Sequence, residues 1–209
     1  MGGDEEGGVM TATDGDLLLR AILADPAEDT HRLVYADWLD EQGQGERAEF
    51  IRVQVESAAL CRRVTDRRDD IGIGWSLPEP HKSRVGWLRD RERELLKSAS
   101  GRGYHCWEWM GAAKGVVPDG AHWRQHVIFD RGFVASITCT AADWLAHGDD
   151  IVAAHPVERV TLTSITGHDI EGLVERLRVL LGERWSDGSQ AVPDVFAALW
   201  PRITFTLPA

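Results

Sequence analysis

Lysine is almost missing from this chain: three lysines stand against twenty arginines in 209 residues. The glycine pairs Gly72-Ile73-Gly74 and Gly101-Arg102-Gly103 have neither the spacing nor the lysine of a phosphate-binding loop. Cysteine is scarce too. Cys61, Cys106 and Cys139 stand far apart, odd in number and without a C-x-x-C pair, which excludes a disulfide framework and fits a reducing compartment. No run of 18 apolar residues occurs, so no segment reads as a membrane-spanning helix. Met1–Met10 is acidic and glycine-rich and lacks the basic and apolar regions of a signal peptide. A cytoplasmic protein is expected. G-x-S-x-G is absent, and no cysteine lies in a catalytic signature.

What remains is an ordinary globular composition, 43% hydrophobic and 27% charged. It suits one large domain or two small ones. The net charge of −11 is uneven. Residues 1–60 carry 14 acids and 4 bases, residues 61–103 carry 7 and 11, and residues 104–209 carry 13 and 8. An acidic chain repels phosphate backbones, which disfavours nucleic acid as a partner, with the basic middle segment as the local exception.

Residues 1–12 read as a disordered tail, 13–100 as a helical module with a basic connector, and 101–209 as alternating strands and helices. Asp14 is a candidate N-cap for a helix over 15–24, with Leu17, Leu18, Ala21 and Ile22 as its apolar stripe. Asp25-Pro26 ends it. A second helix over 30–42 places Leu33, Val34 and Trp38 on one face, and Gly43 suits its C-terminal cap. A third over 46–63 follows after so short a link that the two pack antiparallel. Residues 66–82 read as irregular, with Ile71, Ile73, Trp75 and Leu77 alternating, and a charged helix covers 84–98. Strands at 126–129 and 133–140 flank an Arg131-Gly132 turn. A helix over 141–154, a strand at 157–163, a helix from an Asp169 cap to about 185, a short helix from Pro193 to Trp200 and a strand at 202–207 complete the chain. Such alternation favours parallel pairing through right-handed crossovers. The expected fold is α+β: a helical N-terminal module packed on a small, mostly parallel sheet.

The stretch Thr30-His31-Arg32-Leu33-Val34-Tyr35-Ala36-Asp37-Trp38-Leu39-Asp40-Glu41, then Gly43, then Arg47-Ala48-Glu49-Phe50-Ile51-Arg52-Val53-Gln54 carries two dense motifs in fixed order. It resembles the bacterial repeat-companion domain over about residues 14–56, and Leu18-Leu19-Arg20-Ala21-Ile22 with Asp25-Pro26 agrees. Such modules often precede leucine-rich-like repeats. Arg131-Gly132-Phe133-Val134, Trp144-Leu145 and His155-Pro156-Val157-Glu158-Arg159-Val160-Thr161-Leu162 are similar to a first repeat, although no asparagine ladder follows. The resemblance implies a fold more than a function, since the family carries no established enzymatic activity.

Three constellations carry chemistry. Asp37, Asp40, Glu41 and Glu49 could bind a cation or exchange protons, or could form a structural network with Arg32, Arg47 or Arg52; Tyr35, Trp38 and Phe50 complete that motif. His122 and His126 are four apart, the spacing of two zinc ligands on a helix, with Cys106 and then Cys139 or Asp119 to complete the set. Trp75, Trp87, Trp107 and Trp109, with Arg67, Arg68 and the arginines around them, could anchor a protein partner or stack on bases. The reading favoured is a non-catalytic protein-interaction module that needs no cofactor and binds another protein through the sheet or the tryptophan–arginine region. The alternative is a metal-dependent or hydrolytic enzyme using the acidic motif or the histidine–cysteine set.

Overall fold

The computed structural model describes residues 12–65, 81–97, 106–119, 122–181 and 192–208. The alternating stretch 71–77, with Trp75, and also Arg67 and Arg68, lies outside the described residues, as do the side chains of Cys106 and Trp107 and all but the last residue of the expected tail. The fold is α+β and divides into two compact units, Met1–His105 and Cys106–Ala209.

The first unit is helical: α1 (Ala12–Ala24), α2 (Asp29–Glu41), α3 (Gly45–Thr65) and α4 (His81–Leu95). α1 packs on α2, α2 on α3 and α3 on α4. The α2–α3 link is closed by two backbone bonds, Gly43 N–H to the Asp40 carbonyl (3.0 Å) and Gln44 N–H to the Leu39 carbonyl (2.8 Å). These satisfy carbonyls that the helix end leaves open and require a left-handed residue, which Gly43 supplies at φ 74°. Ile22, Ala36, Leu39, Phe50, Ile51, Val85 and Leu88 form the core. Each fully buried large side chain contributes about 1.5–3 kcal/mol.

α2 is rolled relative to the expected stripe. Its buried residues are Arg32, Ala36 and Leu39, while Leu33 and Val34 are each 38% exposed. The cause is Arg32, whose guanidinium donates to the Pro26 carbonyl at 2.7 Å and to the Glu28 carbonyl at 3.5 Å. A buried cation is tolerated when hydrogen bonds replace its water, and here it closes the α1–α2 turn. Likewise Leu17 of α1 is 55% exposed, and Ile22 is the residue that enters the core. α1 begins at Ala12, so Asp14 lies within its first turn rather than capping it.

The second unit opens with a short helix α5 (Cys106–Trp109) and two 3₁₀ turns, Gly111–Val116 and Trp123–Gln125. Next come β1 (Val127–Asp130), β2 (Phe133–Cys139), α6 (Ala141–Ala154), β3 (Arg159–Leu162), α7 (Gly167–Leu181), α8 (Val192–Leu199) and β4 (Thr204–Thr206). The sheet order is β1-β2-β3-β4: β1 is antiparallel to β2, and β2, β3 and β4 are parallel. The β1–β2 hairpin turns on Arg131 (φ 47°) and Gly132 (φ 89°), the two positive dihedrals of a tight primed turn.

The starts of α6 and α7 are set by threonine. Thr140 Oγ1 accepts from Asp143 N–H at 3.1 Å at the start of α6. At α7 Thr166 Oγ1 accepts from Asp169 N–H (3.3 Å) while Asp169 accepts from Thr166 N–H (2.7 Å). Asp169 is therefore the inner member of a reciprocal capping box and not the cap itself. Rings from α6 (Trp144), α8 (Phe196), the residue after it (Trp200) and β4 (Phe205) cluster with centroids 4.7–6.0 Å apart. This places the row Ile137–Val160–Phe205, aligned across β2, β3 and β4, beneath the helices.

Candidate functional site

Three acids of the motif, Asp37, Asp40 and Glu49, are taken up by ion pairs, while Glu41 is exposed at the end of α2. Arg52 reaches Asp37 at 2.7 Å and Asp40 at 2.6 Å. Glu49 receives two bonds from Arg91 of α4, at 2.6 and 2.8 Å. The arginine hydrogen bonds hold the Glu49 carboxyl below the usual range and raise the Arg91 guanidinium above its own. Arg62 pairs with Asp29. The carboxylates thus fasten helices rather than converge on one point. Two expected partners behave otherwise. Arg32 serves backbone carbonyls, as above. Arg47 is buried, with its guanidinium 5.7 Å from the Phe50 ring, and burial pulls its pKa down to about 10. Tyr35 and Trp38 stack at 5.4 Å, and a side chain at Gly15 would meet the Trp38 ring at 2.5 Å, so only glycine lets α1 lie this close.

The histidine pair does not converge. The helical spacing fails because residues 127–130 form a strand. His122 caps a 3₁₀ turn by accepting from Arg124 N–H at 3.3 Å, while Nδ1 of His126 donates to the Thr138 carbonyl at 2.9 Å. Cys139 is buried, and burial pushes its thiol up to about 12. Among the described residues no three His, Cys, Asp or Glu side chains group as metal ligands would.

The tryptophans separate by burial. Trp123, Trp144 and Trp200 are core residues at 4%, 0% and 6% exposure. Trp109 is half-buried. Trp87, on α4, is 49% exposed. Its ring carries the guanidinium of Arg84 at 4.3 Å, and Arg84 in turn donates to both oxygens of Glu56 on α3 at 2.6 Å each. On α4 Arg84, Arg91 and Arg93 are ion-paired, Lys82 and Arg89 are exposed, and Trp87 stands as a half-exposed ring under the Arg84 guanidinium.

A groove of about 430 Å³ lies in the second unit among Asp149, Gly172, Glu175, Arg176, Val179, Leu199 and Trp200. Its polar groups satisfy one another: Trp200 Nε1 donates to Asp149 at 3.2 Å, and Arg176 donates to the other Asp149 oxygen at 2.8 Å. Glu175, an exposed carboxylate, also lines the groove.

The face of the sheet opposite the helices has a different character. Ser136, Arg159 and Thr204 align across β2, β3 and β4, with Ile128 of β1 beside Ser136; Thr138, Thr161 and Thr206 align one step further along. Arg159, Thr204, Thr206 and Ile128 are exposed. The strand repeat apolar-Thr-apolar (Ile137-Thr138-Cys139, Val160-Thr161-Leu162, Phe205-Thr206-Leu207) was the available signal.

No family model, no curated protein and no solved structure matches this chain. No helix among the described residues is long and apolar enough to cross a membrane.

Proposed function

We propose that this protein is a non-catalytic, cytoplasmic protein-interaction module of the repeat-companion type, followed by leucine-rich-repeat-like strand–helix units. The observation that carries the reading is the Trp87–Arg84–Glu56 stack. A half-exposed indole keeps apolar surface in water, and docking that removes this surface from water is favourable. Tryptophan and arginine dominate binding energy at interfaces, most when their rotamers are set beforehand. Glu56 sets Arg84, and Arg84 sets Trp87. The engagement of Asp37, Asp40 and Glu49 by arginines supports a scaffold role for the acidic motif. The shared alignment of the three parallel strands supports the repeat-like reading.

Immobilised wild-type chain and Trp87→Ala, compared in the same native lysate, test it. Wild type should retain a stoichiometric protein partner, Trp87→Ala should lose it, and Arg84→Ala should retain less of it. No stoichiometric partner, or equal capture by wild type and Trp87→Ala, would overturn the proposal.

A further inference from the structure

The two edges of the sheet differ. On β1 the register shifts between Ile128 and Phe129, and the strand ends on Asp130. Irregular register and charge are devices that keep an edge from pairing with another chain. β4 has neither. Ile203-Thr204-Phe205-Thr206-Leu207 carries no charge, no proline and no glycine, and is rich in strand-forming residues. Among the described residues β3 is the one strand beside it.

The register fixes which backbone groups face outward. Thr204 N–H donates to the Glu158 carbonyl at 2.9 Å, and Thr204 and Thr206 lie opposite Arg159 and Thr161. Backbone groups alternate sides along a strand. Thr204 and Thr206 therefore bond toward β3, while the N–H and C=O of Phe205 point to the open edge. Ile203 and Leu207 follow the phase of Phe205, although Ile203 N–H is taken by the Trp200 carbonyl at 3.0 Å. Ile203, Phe205 and Leu207 are half-buried, and Thr204 and Thr206 are exposed.

Read from either end, this segment has the same order: apolar, Thr, Phe, Thr, apolar. An antiparallel copy with Phe205 on the two-fold axis sets Phe205 against Phe205, Thr204 against Thr206 and Ile203 against Leu207. The two Phe205 residues exchange both backbone bonds, and Leu207 N–H of each copy meets the Ile203 carbonyl of the other. Threonine pairs and apolar pairs are favourable neighbours across strands. A slip of one residue would put the helix-bearing face of one copy beside the open face of the other.

We propose that this chain forms a homodimer by antiparallel pairing of β4 with β4 of a second copy, which joins the two sheets into one. Self-complementarity about Phe205 selects the occupant, as an isologous interface requires. No charge lies on the paired segment, so the net charge of −11 per copy opposes the contact only from a distance, where salt screens it. The segment is short, so dimer and monomer exchange readily. The contact is independent of Trp87.

Sedimentation equilibrium of the full chain should show a reversible monomer–dimer equilibrium that Trp87→Ala leaves unchanged. Hydrogen exchange read residue by residue should show the Phe205 and Leu207 amides gaining protection as concentration rises, with the Thr204 amide protected throughout. Two double variants test the register and keep the rings. Thr204→Glu with Thr206→Glu sets carboxylate against carboxylate across the axis, whereas Thr204→Glu with Thr206→Lys sets carboxylate against ammonium. The first should dimerise about tenfold more weakly than the second. Both threonines are exposed, so these variants keep the fold, which thermal melts check. A monomer at every concentration would overturn the proposal. So would equal dimerisation of the two double variants, or a dimer in which the Phe205 amide still exchanges freely.

Discussion

His155 donates from Nε2 to the carbonyl of Met110 at 3.1 Å, joining the end of α6 to the turn that opens the second unit. Val134 N–H approaches Nδ1 at 3.5 Å, and the ring lies edge-on to Phe133 at 6.3 Å. The imidazole is 5% exposed and bridges three segments. His155→Phe keeps the volume and removes one of two bonds to the Met110 carbonyl, which also accepts from Ala113 N–H at 2.9 Å. The net loss of one hydrogen bond costs about 0.5–1.5 kcal/mol. Urea unfolding should show a loss of that size for His155→Phe and a smaller loss for His155→Gln.

Two glycines should respond in opposite directions. A Cβ at Gly15 would sit 2.5 Å from the Trp38 ring, whereas one at Gly86 meets nothing within 4 Å. Gly15→Ala should destabilise by about 1–3 kcal/mol, the range for overpacking. Gly86→Ala, in the exposed interior of α4, should stabilise by about 0.5–1 kcal/mol because glycine is a poor helix former. Thermal melts of the two variants check both signs.

The α3–α4 contact should be acid-sensitive. Hydrogen bonds from Arg91 and Arg84 hold the Glu49 and Glu56 carboxyls below their ordinary value of 4.5. A carboxyl whose folded pKa is depressed adds stability that is complete above its unfolded pKa. That stability is lost as pH falls from there through the folded value. Both pairs are partly exposed, which limits each to about 0.2–1 kcal/mol. Urea midpoints should therefore hold from neutral pH down to about pH 5 and drop below the ordinary carboxylate pKa. The drop should be shallower in Glu49→Gln plus Glu56→Gln.

The thiols should differ sharply. Cys61 is exposed, while Cys139 is buried with its pKa pushed up by burial first and by Asp143 second. In a Cys106→Ser background an alkylating reagent should label Cys61 in the native protein and reach Cys139 only after denaturation. Labelling of Cys139 at a comparable rate would show that β2 opens readily.

The sequence yielded most where local chemistry decides. α6 was legible residue for residue, because Thr140 is a strong cap and His155-Pro156 stops the helix. It misled where tertiary contacts override the pattern. Leu33 and Val34 look like a buried stripe, yet Arg32 claims that position by bonding the Pro26 carbonyl, a partner that no periodicity reveals. Asp169 reads as a cap, but Thr166 comes first and the two act together. His122 and His126 have ligand spacing only on a helix, and a 3₁₀ turn running into a strand separates them. For Trp87 the residue was visible in the sequence. Its exposure was not, since burial of one indole among nine depends on which face of α4 meets α3.

The central claim is that α4 presents Trp87 to a protein partner. Photocrosslinking from a photoreactive phenylalanine analogue at position 87, with the same analogue at the exposed Glu46 as reference, tests this most directly. The account predicts one dominant protein adduct from position 87 that is missing from position 46. No adduct from position 87, or the same products from both positions, would contradict it.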